Sequence, residues 1–154
     1  MNVEVQELLL ATNLKTRKNM EMRNKFRVYD KVNKEYMPTD KFFIDCKGRL
    51  NVALSFKGAT NLFVDVDYGT KHIVERCTGI KDINGNLIYE GDIICGKNPE
   101  IRHEIIFDQE HACVRAELLP KPGHFMENSV YRSLSQKWVN EFSKKIIGNI
   151  HNEE

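Results

Sequence analysis

The chain lacks any apolar run of the length that a membrane span or a secretory signal needs. Leu8-Leu9-Leu10 is three residues long and follows Glu4 and Glu7, whereas a membrane helix needs about 20 apolar residues and a signal core about 7 to 15. The four cysteines include no Cys-x-x-Cys pair, so we expect reduced, packed thiols and no disulfide or zinc framework. The net charge of +1 provides no overall field that would attract nucleic acid or an anionic membrane.

Recognisable reaction motifs are missing as well. The sequence contains no Gly-x-Ser-x-Gly elbow, no P-loop, no dinucleotide-binding glycine fingerprint and no His-Glu-x-x-His. A catalytic site can still assemble from distant residues. We therefore expect a non-enzymatic protein without a cofactor, and we keep a metal-dependent enzyme as an alternative.

The sequence is organised around residues 78–94, which predict a β-hairpin followed by a bend. Asn84-Gly85 supplies the two residues tolerant of positive φ that hairpin turns require. Gly91, directly before Asp92, predicts a bulge or a sharp bend in the strand that leaves the turn. We assign structural roles in this motif to Asp82, Asn84, Gly85 and Gly91.

Alternation of apolar and polar residues with period two recurs along most of the chain and predicts antiparallel strands. The predicted strands cover residues 26–36, 42–44, 50–56, 62–68, 71–77, 87–94, 101–107, 112–118 and 145–150. Ser133 and Gln136 have the spacing of a capping box and predict a short helix with Leu134, Trp138 and Phe142 on one side. The predicted fold is mainly β with minor α: a small, antiparallel, barrel-like core, an N-terminal helix in residues 1–21, and one short C-terminal helix.

Three segments resemble the YopX family, small proteins encoded by phages and prophages. The stretch Thr78–Ile94 resembles the family's hallmark, residues 26–37 resemble its opening, and residues 145–152 resemble its closing strand. The resemblance implies a mainly β, cytoplasmic phage-type protein of unassigned molecular role, with a single domain over residues 22–154. Residues 1–21 precede the family-like opening and form an extension.

Candidate binding residues come from two parts of the sequence. Tyr89 packs or caps the predicted core, while Glu90 and Asp92 are expected to be exposed acids that contact a partner. The basic segment 15–27 has Phe26 and Tyr29 interleaved with or next to its last cations, an arrangement that suits phosphates and bases. Its candidates are Lys15, Arg17, Lys18 and Arg27.

Metal and recognition hypotheses rest on sparser patterns. Asp65 and Asp67 share one face of a predicted strand, as a pair of metal-binding or acid–base carboxylates would, although they equally suit a solvated outer face. His103 and His111 lie on strands that are expected to pair, but the sequence places no third ligand beside them. Trp138 is either a core residue or a recognition aromatic.

Three functional classes remain open. The first is a non-enzymatic module in the cytoplasm of a bacterial host that binds a host or phage protein. The second is a nucleic-acid-binding protein that uses residues 15–27, and the third is the metal-dependent enzyme. No contact with a membrane is expected. Apolar residues outside the alternating strands also predict a homo-oligomer: Leu8-Leu9-Leu10, Phe42-Phe43-Ile44 and Trp138-Val139.

Overall fold

The structure, a computed structural model, describes residues 25–45, 47–54, 62–66, 70–121 and 130–152. It is mainly β, with antiparallel sheets, one of them curled into a half-barrel, and one short α-helix. The mainly β prediction is therefore confirmed, whereas the predicted N-terminal helix lies outside the described residues. The chain divides into two compact units, the first unit Phe26–Glu75 and the second unit Arg76–Glu154, with which Lys25 is grouped.

The first unit contains short strands around a small apolar core. Its strands are β1 (Phe26–Asp30), β2 (Glu35–Tyr36), β3 (Phe42–Ile44), β4 (Leu50–Leu54), β5 (Leu62–Val66) and the beginning of β6 (His72–Lys81), with a 3-10 turn at Thr39–Lys41. β3, β4 and β5 form an antiparallel sheet in that order. The core consists of Val28, Leu50 and Val52, with Met37, Phe42, Ile44 and Val74 packed against it.

The second unit contains the end of β6 and a five-stranded antiparallel sheet. Its further elements are β7 (Leu87–Tyr89), β8 (Asp92–Cys95), β9 (Arg102–Asp108), β10 (Cys113–Leu118), β11 (Tyr131–Ser133), helix α1 (Gln136–Glu141) and β12 (Lys145–Asn149), followed by a 3-10 turn at Ile150–Asn152. The sheet order is β11-β10-β9-β8-β12. Its core consists of Ile88, Ile94, Ile105, Ala116 and Val139, so α1 covers the sheet through Val139.

The central stretch forms the hairpin of β6 and β7 and then a corner. Gly85 lies in the turn with φ 86°, and Gly91 connects β7 to β8 with φ 78°, both in the left-handed region that favours glycine. The pairing of β6 with β7 shifts between Cys77 and Lys81, where Gly79 has φ 75°. This irregularity places the bulge in β6, a position that the sequence pattern does not mark.

The helix begins two residues later than the capping box predicts. Ser135 is the N-cap, and its side chain accepts a hydrogen bond from the Trp138 backbone N–H at 3.2 Å. Ser133 instead ends β11, opposite Arg115 of β10. Strand β11 is absent from the sequence prediction, because a three-residue edge strand with exposed side chains shows no alternation.

Candidate functional site

The second unit contains a cavity of about 440 Å³ beside helix α1. We call it the α1 cavity. Its lining combines cations, aromatic rings, one histidine and one carboxylate, contributed by separate segments of the chain: Ile101, His103, Arg132, Trp138, Glu141, Phe142 and Lys144. This volume lies within the range of small-molecule pockets, which are mostly apolar with a few placed polar groups.

Strand pairing and the helix position the inner residues of the α1 cavity. His103 lies in β9 between Ile94 of β8 and Leu118 of β10, so its backbone is fixed on both sides. Trp138 packs against the apolar core from α1. Lys144 directly precedes β12, and its backbone N–H donates to the Val139 carbonyl at 2.9 Å.

Gly96 makes room for the lysine. A β-carbon at this position would lie 2.7 Å from the Phe142 carbonyl oxygen and 3.6 Å from Lys144 Nζ. The first distance is too short for any side chain at position 96, because the Phe142 carbonyl belongs to the backbone and cannot move aside as a flexible side chain can. The glycine therefore permits β8 to approach the chain after α1 and leaves space for the ammonium group beside it.

The inner end of the α1 cavity holds two buried polar groups. His103 is 7% exposed and Lys144 is 5% exposed. His103 Nδ1 has no hydrogen-bond partner among the described residues, although buried polar atoms are satisfied in the great majority of cases. Neither Lys144 nor Arg132 forms an ion pair with any carboxylate in the described part of the chain.

The pKa values of these groups reflect burial and mutual repulsion. Burial, followed by the charges of Lys144 and Arg132, lowers the pKa of His103 to about 4. Burial also lowers the pKa of Lys144, the charge of Arg132 lowers it further, and Cys95 opposes the change. His103 is therefore neutral near pH 7, and the inner end of the α1 cavity has a positive potential.

Trp138 forms the wall that both polar groups contact. Its ring centroid lies 5.4 Å from that of His103, edge to face, and 4.7 Å from Lys144 Nζ, at cation–π distance. Phe142 continues the wall, with its ring centroid 6.2 Å from that of Trp138. The indole is half-buried, so Trp138 packs against the core on one side and faces the cavity on the other.

The predicted structural motif is held together by one buried carboxylate. Asp82 accepts hydrogen bonds from the backbone N–H groups of Asn84 and Asn86 at 2.9 and 2.8 Å and from the Asn86 side chain at 3.3 Å. It also accepts one from the Ile146 backbone N–H, at 3.2 Å, 64 residues further along the chain. Asp82 thus closes the turn and fixes it to β12.

The neighbouring binding candidates also make internal contacts. The sequence predicts exposed acids at Glu90 and Asp92, but Asp92 is buried, and its Oδ2 accepts from the Tyr89 backbone N–H at 2.8 Å. The predicted exposure of Asp92 is therefore wrong, because the corner at Gly91 turns the Asp92 side chain back onto the chain. Glu90 accepts from the Arg76 backbone N–H at 2.7 Å, and Tyr89 is half-buried.

Of the basic segment 15–27, the structure describes residues 25–27. Arg27 is paired with the buried Glu75, which also accepts from the Tyr36 hydroxyl at 3.0 Å. The Arg27 guanidinium in addition lies 4.5 Å from the centroid of the Tyr36 ring. Lys15, Arg17 and Lys18 lie outside the described residues.

The two histidines considered as metal ligands, His103 and His111, do not come together. His103 pairs with Leu118 near the beginning of β9, whereas His111 lies in the turn that follows β9, so the two rings belong to opposite ends of the hairpin. His111 instead approaches Asp108 and Glu110, but Asp108 is already paired with His111 and Arg115. Asp65 lies opposite Asn51 in the β4–β5 pairing, and Asp67 lies outside the described residues.

Comparison with known proteins identifies the family. The fold is an antiparallel β protein with a cavity beside its helix, and the model of the family described as YopX protein matches residues 25–154. The chain belongs to the YopX family. The chain is similar to the one in the crystal structure of protein EF1440 from Enterococcus faecalis, with 21% identity, a TM-score of 0.45, and coverage of 84% of this chain and 94% of that one. No curated protein matches. Among the described residues, no helix combines the length and apolar character needed to cross a membrane.

Sequence reasoning found part of the α1 cavity and missed its charges. His103 and Trp138 are sequence candidates, one as a metal ligand and the other as a recognition aromatic. Arg132 and Lys144 are not, because each lies next to another polar residue in a segment without alternation. The one signal that marks Lys144 is its place between the helix and β12, where a side chain at the boundary of two packed elements can turn inward.

Proposed function

We propose that this YopX-family protein is a phage- or prophage-encoded module that binds a host or phage protein in the cytoplasm of a bacterial host, without catalysing a reaction. The α1 cavity is its binding site. The observation that carries this proposal is the mouth of the cavity, where Ile101 and Phe142 are 44% and 49% exposed. Large apolar side chains exposed beside a pocket are typical of surfaces that bind a partner.

The composition of the site favours a protein partner. Tryptophan and arginine are enriched among residues that dominate protein–protein binding energies, and such residues lie in pockets that exclude water. Trp138 and Arg132 both line the α1 cavity. A partner side chain that enters between Phe142 and Ile101 would cover apolar surface at the mouth and reach Lys144 inside the cavity.

Two alternatives are less well supported by particular contacts. Nucleic-acid binding through residues 15–27 would use Arg27, but Glu75 already neutralises this side chain. A metal-dependent reaction would use a cluster such as Asp108, Glu110 and His111, but Arg115 already neutralises Asp108. Binding of random DNA and RNA across a salt series tests the first alternative, since phosphate contacts give a steep salt dependence.

The experiment compares capture of host and phage proteins by the parent and by variants at the mouth of the α1 cavity. Ile101→Ser and Phe142→Ser remove exposed apolar groups, so we expect them to retain the parent's melting temperature and to lose the captured protein. Val32→Ser removes an apolar group that is 69% exposed in the first unit and serves as the matched control. The captured protein is then purified, and its affinity for each variant is measured by calorimetry. Equal affinities for all three variants and the parent would contradict the proposal.

A further inference from the structure

Lys144, at the inner end of the α1 cavity, forms no ion pair with a carboxylate in the described part of the chain. Lys144 is almost fully buried, and the partner that it has in the described structure is the face of Trp138. Burying an ammonium group without a counter-ion costs free energy, and a ring face compensates only part of that cost. A second cation, Arg132, lies close enough to lower the pKa values of both Lys144 and His103.

The unsatisfied ring nitrogen supplies an independent observation. His103 lines the same cavity, is more than nine-tenths buried, and leaves Nδ1 without a hydrogen-bond partner among the described residues. The neutral imidazole has one N–H donor and one acceptor nitrogen. His103 therefore adds a buried and unsatisfied polar group to the wall of the α1 cavity, beside the cations Lys144 and Arg132.

We propose that the inner end of the α1 cavity binds an oxyanion, a carboxylate or a phosphate, that is carried on an apolar or aromatic body. The oxygen atoms lie between Lys144 and Arg132, and the body lies along Trp138 and Phe142. This inference rests on the proposed function and deepens it, because it names the chemical group that the partner inserts. Charge-assisted hydrogen bonds to Lys and Arg are roughly twice as strong as neutral ones, so the anion contributes much of the affinity.

The geometry of the wall explains why a body is required as well as a charge. The pocket opens between Phe142 and Ile101, both exposed at its mouth. A free inorganic anion would satisfy the cations and leave these apolar groups in water. An aromatic or aliphatic body covers them, and burial of apolar surface adds roughly 25 cal/mol per Å².

Trp138 provides a direct readout, because it is the one tryptophan of the chain. Its fluorescence is followed during titration with 3-phenylpropionate, phenyl phosphate and the neutral 3-phenylpropan-1-ol, all at constant ionic strength. We expect a saturable change with at least one of the two anions and none with the alcohol at the same concentrations. The stronger anion identifies the source as a carboxylate or a phosphate. A response to the alcohol equal to that of both anions would overturn the inference.

Charge-removing variants test the assigned residues. Arg132→Gln and Lys144→Met are expected to weaken binding of the anion at least about tenfold, the loss associated with one charge-assisted hydrogen bond. Lys137→Gln removes an exposed cation from helix α1, outside the cavity lining, and should bind like the parent. Arg132 is exposed, so its variant tests the site even if Lys144→Met fails to fold. Equal weakening by Lys137→Gln would show a general charge effect and contradict the site.

Collisional quenching of Trp138 tests the positive potential without any organic ligand. Iodide and caesium ions of equal concentration are compared in the parent and in Arg132→Gln. We expect iodide to quench the parent more strongly relative to caesium than it quenches the variant, because the cations concentrate iodide in the cavity. An unchanged ratio would contradict the inference.

Different experimental results would contradict the proposed function and the oxyanion inference. If the oxyanion probes do not bind, but Ile101→Ser and Phe142→Ser still abolish binding of the captured protein, the proposed function stands and the oxyanion inference is wrong. If the probes bind as expected, but the mouth variants leave protein binding unchanged, the α1 cavity is an oxyanion site without the proposed role in protein recognition.

Discussion

At the scale of single residues, His103 couples the stability of the protein to pH. Its pKa falls from 6.5 to about 4 in the folded chain, first because it is buried and then because of Lys144 and Arg132. Between these two pH values the unfolded chain binds a proton that the folded chain does not, so stability falls as pH falls. The contribution is complete above pH 6.5 and lost near pH 4, and amounts to about 3 kcal/mol at most.

Urea unfolding of the parent and His103→Gln measures this contribution. We expect the parent to lose more free energy of unfolding than the variant between pH 7 and pH 4. Asp30, Asp45, Glu100 and Asp108 also have lowered pKa values and destabilise both proteins in acid, so the difference isolates the histidine. Parallel pH profiles for the two proteins would show that His103 does not titrate as described.

Asp82 is the residue that connects the hairpin turn with β12. Asp82→Ala removes an acceptor of four hydrogen bonds and leaves the Ile146 backbone N–H without that partner. We expect a loss of about 2–4 kcal/mol in the free energy of unfolding, measured by urea denaturation. Asp82→Asn keeps one oxygen acceptor and should lose less. If both variants unfold like the parent, the carboxylate contributes nothing to the fold.

At the scale of elements, the hairpin and the corner that follows it each depend on a glycine. Gly85 has φ 86°, and a β-carbon added there would have no atom within 4 Å, so substitution acts through backbone strain alone. Gly91 has φ 78°, and its backbone N–H and C=O bond to Ile105 and Ile150. Gly85→Val and Gly91→Val are each expected to lose roughly 1–3 kcal/mol in thermal unfolding.

Gly148 is the control for this comparison. It also has no atom within 4 Å of an added β-carbon, and its φ is not in the left-handed region. Gly148→Ala should therefore unfold close to the parent. A loss for Gly148→Ala equal to that for Gly85→Val would show that strain at positive φ is not the cause.

The elements that the sequence predicts are those with a strong local signal. Asn84-Gly85 marks a turn wherever it lies between apolar segments, and β9 and β10 alternate except at Ile106. The sequence fails where pairing decides the structure. β11 is a strand because it forms backbone hydrogen bonds with β10 at the edge of the sheet. Ser133 belongs to β11, so Ser135 is the residue that caps α1.

At the scale of the whole molecule, the α1 cavity shows the limit of sequence reasoning most clearly. Its residues come from the loop after β8, from β9, from β11, from α1 and from the segment before β12. No local pattern relates Arg132 to His103, because their proximity follows from the strand order β11-β10-β9-β8-β12. Chemistry that depends on such long-range pairing becomes visible once the topology is known.

Self-association is the prediction that concerns the complete chain. Of the apolar segments that motivate it, Val139 lies in the core of the second unit and Phe42 and Ile44 pack in the first. Phe43 is 45% exposed, and Leu8-Leu9-Leu10 lies outside the described residues. Phe43 and these leucines are therefore the groups that we expect a second copy to cover, since a self-complementary patch satisfies both copies of a dimer at once.

Sedimentation analysis at micromolar concentrations tests this expectation with three proteins: the full chain, a variant that lacks residues 1–21, and Phe43→Ser. We expect the full chain to be a homo-oligomer and at least one variant to be a monomer. Dissociation of the truncated form alone assigns the interface to the leucines, because the truncation removes their apolar side chains and leaves Phe43 in place. Dissociation of Phe43→Ser alone assigns it to β3. A full chain that sediments as a monomer at every concentration would contradict self-association, and the apolar groups would then be available to a different partner.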